Sequence, residues 1–119
     1  MLNIMIIDDQ PLLAKWLGED LLDEQYQISR ITDVDDIHDD IAEIKPDIIF
    51  LDIWTGGFER WDILNQLKLK SPNIPILILG TYDSIAGDPR LDKADGYIIK
   101  DIYMDVFKDK MKALCRPNI

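Results

Sequence analysis

The stretch Asp47-Ile48-Ile49-Phe50-Leu51-Asp52 is apolar nearly throughout and ends on a carboxylate. Residues 47–51 read as a strand covered on both faces, because a strand with one wet face would alternate polar and apolar residues. Such strands belong to parallel sheets with helices packed on either side, so the flanking chain should supply both further strands and amphipathic helices.

Upstream, residues 2–7 form another short apolar run. Pro11 suits a first helical turn, and Leu13, Leu17 and Leu21 recur every four residues, which predicts a helix over residues 11–24 with one buried stripe. Residues 27–31 read as a weak second strand, and a helix over residues 35–44 carries Ile37, Ile41 and Ile44 on one face before Pro46 closes it. Downstream, after a Gly-containing loop, Trp61, Leu64 and Leu67 mark a third helix ending before Pro72. Residues 76–79 and 97–99 give the fourth and fifth strands, and Tyr103, Phe107, Met111 and Leu114 form the stripe of a final helix. Between the last two strands the helical signal fails, since Gly87 and Pro89 interrupt any helix from Ser84 onward. Five βα units in succession predict an α/β fold, a doubly wound parallel sheet whose ligand site lies at the carboxyl ends of the strands.

The 119 residues fit one domain over residues 1–119; 47% are hydrophobic, enough for a core, and 30% are charged. A formal net charge of −10 with scattered Lys and Arg disfavours direct contact with nucleic acid. The single Cys115 cannot form an internal disulfide, the opening residues lack the basic start of a signal peptide, and no apolar run nears the ~20 residues of a membrane span. Those features point to the cytoplasm and to a protein partner. His38 lies among Asp35, Asp36, Asp39 and Asp40 on what reads as a solvated helix face.

Several predicted strands end in residues suited to one site: Asp8 and Asp9 after the first, Asp52 after the third, Thr81 near the end of the fourth and Lys100 after the fifth. Any one of these acids alone reads as an ordinary cap or turn residue. Brought together, three carboxylates stay ionised only around a cation, and an all-oxygen donor set favours a hard ion such as Mg²⁺. A carboxylate beside that ion is a nucleophile toward phosphorus, and Lys100 supplies charge for the incoming oxygens.

Ile-Ile-Asp-Asp at 6–9, Ile-Ile-Phe-Leu-Asp-Ile at 48–53 and Gly-Tyr-Ile-Ile-Lys at 96–100 resemble the signatures of response regulator receiver domains, in the same order and over almost the whole chain. The resemblance implies a flavodoxin-like fold with strand order 2-1-3-4-5. It makes Asp52 the phosphoacceptor and places Mg²⁺ between Asp9, Asp52 and the Trp54 carbonyl, with Asp8 at the margin. Lys100 and a hydroxyl such as that of Thr81 would bind the phosphoryl group, and Tyr97 stands where the family has its switching aromatic. A histidine kinase or phosphotransfer protein would be the donor, an unidentified protein or output domain the target, and a homodimer through the fourth-helix face a further partner. The only chemistry implied is phosphotransfer and dephosphorylation on the domain itself, which makes it a signalling domain and not an enzyme.

Five positions depart from that pattern. Ungapped counting puts Gly80 at the family's Ser/Thr position, with Thr81 one place later; Asp101 replaces the proline after the lysine; Thr55-Gly56 stand for Met-Pro; and Arg60 stands for glycine. These departures support an alternative, a degenerate receiver that binds proteins without phosphorylation. An aspartate-nucleophile phosphohydrolase lacks its usual Asp-x-Asp at the first strand, and a flavin carrier lacks its phosphate cradle after that strand.

Overall fold

A computed structural model describes residues 2–8, 26–80 and 87–99. In chain order the elements are β1 (Leu2–Ile7), β2 (Tyr26–Ile31), α1 (Ile37–Ile44), β3 (Ile48–Asp52), β4 (Trp54–Thr55), β5 (Phe58–Glu59), α2 (Trp61–Lys70), β6 (Ile76–Gly80), a 3₁₀ helix (Pro89–Lys93) and β7 (Gly96–Ile99). The apolar runs become a five-stranded parallel sheet in the order β2-β1-β3-β6-β7, and β4 pairs with β5 alone. Counting only the strands of the large sheet, that order is 2-1-3-4-5, as the sequence reading requires. The predicted helices over residues 11–24 and along the stripe from Tyr103 to Leu114 lie outside the described residues.

Burial explains the unbroken apolar runs. Ile4–Ile7, Ile48–Leu51 and Ile76–Leu79 are all fully buried, so both faces of the central strands are covered. On one face Met5, Ile7, Ile49, Leu51, Ile76 and Ile78 pack with Ile37 and Ile41 of α1 and with Trp61, Leu64 and Leu67 of α2. Each such side chain contributes roughly 1.5–3 kcal/mol when removed from water, which is why a run without polar interruptions is stable only here.

The helix ends follow local rules. α1 begins at Ile37 and not at residue 35, since Asp35 and Asp36 form the turn in which the Ile37 N–H meets the Val34 carbonyl. It ends where Lys45 adopts a left-handed φ of 54° and returns its N–H to the Ile41 carbonyl, directly before Pro46. Within α2 the apolar spacing buries Trp61, Ile63, Leu64 and Leu67, and the helix stops two residues before Pro72.

Two elements depart from the expected loops. Gly56 and Gly57, with φ of 75° and 90°, take the positive values at both central positions that a type I′ turn requires, and they close the β4–β5 hairpin directly after the acceptor strand. Pro89 starts a helix where it was expected only to interrupt one: its fixed φ suits the first helical position, and the Asp88 carboxylate caps the turn by accepting from the Arg90 N–H at 2.9 Å.

Candidate functional site

The parallel register places two carboxylates side by side. Ile7 pairs with Leu51, so Asp8 and Asp52 follow at the same level on neighbouring strands, at the carboxyl edge of the sheet. Both are buried, Asp8 at 0% and Asp52 at 1% exposure. Backbone contacts hold each in place: the Asp8 N–H donates to the Ile31 carbonyl at 3.1 Å, and the Asp52 Oδ1 accepts from the Trp54 N–H at 3.0 Å. The buried Thr55 hydroxyl donates to the Asp52 carbonyl at 2.8 Å, and the Ile53 N–H reaches the Leu79 carbonyl on the next strand at 3.0 Å. The turn after β3 is thus tied to the acid on both its side chain and its main chain.

Two like charges at adjacent strand ends, out of water, oppose folding unless a positive charge lies with them. Oxygen donors of this kind fit a hard divalent cation such as Mg²⁺. Among the described residues no group of three His, Cys, Asp or Glu forms a metal cluster, so the structure brings together two of the expected ligands, Asp8 and Asp52. The third carboxylate, Asp9, lies outside the described residues, as do Thr81 and Lys100. Trp54, whose carbonyl was the fourth expected ligand, opens β4 with its N–H on Asp52 and its ring 53% exposed.

Tyr97 pairs with Ile78 across β6 and β7 and packs, half-buried, against the core. Its ring lies over Gly80. A Cβ at that glycine would stand 2.6 Å from the Tyr97 hydroxyl oxygen and 2.9 Å from Cε2, closer than real side chains approach.

A second set of contacts escaped the sequence reading. The Trp61 Nε1–H donates to the Glu59 carboxylate at 2.7 Å, and the Arg90 guanidinium lies 4.5 Å over the Trp61 ring while meeting Glu59 at 3.5 Å and Asp88 at 2.6 Å. The Arg90 side chain, by hydrogen bonding, lowers the Asp88 carboxyl to about 2, and Asp88 in turn raises Arg90. Arg60 behaves similarly at the hairpin base: it bonds Asp62 at 3.1 Å, lowering that carboxyl, and stacks 4.5 Å over the Phe58 ring. Only the Gly56-Gly57 pair announced this arrangement in the sequence, since it sets the hairpin that carries Phe58 and Glu59.

The fold and the acid pair define a doubly wound α/β domain with an anionic, oxygen-lined site at the strand ends. Residues 4–112 match the response regulator receiver domain, and the chain belongs to that family. It is 31% identical over 85 residues, 70% of its length, to the nitrogen assimilation regulatory protein NtrX of Azorhizobium caulinodans, of which it covers 19%. With the probable transcriptional regulatory protein TcrX of Mycobacterium tuberculosis it shares 24% identity over 96% of its length and 50% of that protein. The chain thus spans half or less of these two relatives. The receiver TrrA of Thermotoga maritima in complex with Mg²⁺-BeF superposes with a TM-score of 0.84 at 26% identity, covering 96% of this chain and 99% of TrrA. The same protein in complex with the histidine kinase ThkA gives 0.83 at 26% identity, over 96% and 98% of the two chains. Among the described residues no helix is long and apolar enough to cross a membrane.

Proposed function

We propose that this receiver takes a phosphoryl group onto Asp52 from a phosphohistidine donor and signals through the surface around the acid edge. The observation that carries the reading is the burial of Asp8 and Asp52 on neighbouring strand ends, an arrangement suited to a site that binds a cation and turns one carboxylate toward an electrophile. An Asp52 oxygen attacks phosphorus as the bond to the donor imidazole breaks, and the imidazole leaves with a proton. The Trp54 N–H on Oδ1 and the Thr55 hydroxyl on the main-chain carbonyl fix the carboxylate plane for that approach. Mg²⁺, held by Asp8, Asp9, Asp52 and the Trp54 carbonyl, would neutralise charge on the phosphoryl oxygens. Lys100 and a hydroxyl would bind those oxygens, and Tyr97 would report the change.

A kinase donor has support from the relative TrrA, which forms a complex with ThkA. The domain works in the cytoplasm as a signalling module whose only chemistry is on its own aspartate. A second reading, a receiver that binds partners without phosphate, is favoured by Gly80 and the ring seated over it. Intact mass after incubation with Mg²⁺ and acetyl phosphate, beside an Asp52→Asn variant, separates the two. A gain of one phosphoryl unit in the wild type alone supports the acceptor. No gain while Mg²⁺ still binds leaves the second reading.

A further inference from the structure

Gly80 is the last residue of β6 and follows Leu79, the register partner of Asp52. The Leu79 carbonyl accepts from the Ile53 N–H, so Gly80 lies beside the peptide that leaves the acceptor. No side chain projects from this position toward the site. The space it would fill is taken by Tyr97, which is register partner to Ile78 and leans along β6 toward the carboxyl edge. The hydroxyl oxygen, Cζ and Cε2 of its ring stand 2.6, 3.1 and 2.9 Å from the point where a Cβ of residue 80 would be. The nearest of these atoms is the oxygen. A phenol O–H therefore stands within 2.6 Å of the point from which a hydroxyl borne by residue 80 would project, one strand away from Asp52.

We propose that the Tyr97 hydroxyl is the phosphoryl-binding hydroxyl of this site, delivered across β6 because Gly80 has no side chain. The proposal rests on the reading of Asp52 as phosphoacceptor. The hydroxyl donates a hydrogen bond to a phosphoryl oxygen on Asp52, a charge-assisted contact stronger than one between neutral groups. One residue would then perform two tasks, since the ring that packs against Ile78 and its neighbours also carries the donor that senses the phosphate.

The test uses Mg²⁺ with beryllofluoride as a stable phosphoryl mimic and reads its affinity from amide chemical-shift changes across the β3 and β6 strand ends. Tyr97→Phe keeps the ring and removes only the donor, so it folds, as its melting curve checks, and binds the mimic about 10-fold more weakly, as expected for one lost hydrogen bond to a charged group. Thr81→Val separates the two hydroxyls, since a loss larger in Tyr97→Phe than in Thr81→Val assigns the donor to Tyr97. Adding Gly80→Ser to Tyr97→Phe restores affinity, since loss of the phenol oxygen removes the 2.6 Å approach and a small shift of the ring end relieves the remaining 2.9 Å approach of Cε2, which leaves room for the serine hydroxyl. Unchanged affinity in Tyr97→Phe, a loss carried by Thr81→Val in its place, or no recovery in the folded double variant overturns the proposal while leaving Asp52 as acceptor. A wild type that gives no response to the mimic overturns both.

Discussion

Replacing Asp8 by Asn tests the electrostatic reasoning most directly, because it removes one of two buried charges and leaves the acceptor in place. Neighbouring strands lie ~4.8 Å apart, so carboxylates at matching strand ends are separated by about 5 Å. At an effective dielectric constant of ~20 two unit charges at that distance repel by about 3 kcal/mol. Hydrogen bonds and nearby positive groups relieve part of this, which leaves an expected gain of about 1–3 kcal/mol for Asp8→Asn in metal-free buffer. For a domain of this size each kcal/mol moves the midpoint by about 4 °C, so the variant should melt roughly 4–12 °C above wild type in EDTA. Added Mg²⁺ should then raise the wild-type midpoint with concentration, as any ligand of the native state does, and move the variant much less. Circular dichroism melts at several Mg²⁺ concentrations decide the matter. An Asn variant that melts at or below wild type in EDTA would refute the claim that the two acids strain the metal-free fold.

Two further outcomes follow from the fold. Leu67→Ala in α2 opens a cavity against a fully buried position and should cost about 2–5 kcal/mol in urea unfolding, whereas Leu69→Ala, at a residue 83% exposed one turn face away, should fall within about 0.5 kcal/mol of wild type. Asp88 is held low, at about 2, by Arg90. A carboxyl depressed in the folded state adds stability above its unfolded value of 3.8 and loses it as pH falls through about 2, and for this surface pair with Arg90 the effect is small. Carboxyl-carbon NMR titration should place its midpoint near the folded value, and Arg90→Gln should move that midpoint up toward 3.8.

Much of this architecture is legible in the sequence for a physical reason. A strand buried on both faces must be apolar at every position, so Ile48–Leu51 and Ile76–Leu79 stand out without any alternation. The carboxylates at the ends of such runs mark the ligand edge, which is why Asp8 and Asp52 were found together. Less legible are features that depend on register. Two-residue strands such as Trp54–Thr55 and Phe58–Glu59 are too short to show a period, and only the Gly-Gly between them signals a turn. The seat of Tyr97 on Gly80 depends on Ile78 facing Tyr97 across two strands and on the ring leaning along β6; residues 17 apart in the chain give no local sign of either. Pro89 was read as a breaker because proline both ends and begins helices, and only the Asp88 cap decides which.

The departures from the family pattern also belong together. Thr55-Gly56 in place of Met-Pro gives a hydroxyl for the Asp52 carbonyl and a residue that tolerates a φ of 75°, so the chain doubles back as a hairpin immediately after the acceptor. The hairpin sets Glu59 opposite Trp54, and Glu59 meets the Trp61 indole and Arg90. A chain of contacts therefore runs from the Asp52 Oδ1 through the Trp54 N–H and the β4–β5 pair to the 3₁₀ helix between β6 and β7. Its last link, Arg90 to Glu59 at 3.5 Å with both groups exposed, is worth about 1 kcal/mol or less, and the β4–β5 pair before it is itself largely exposed, whereas the central strands of the five-stranded sheet lie fully buried.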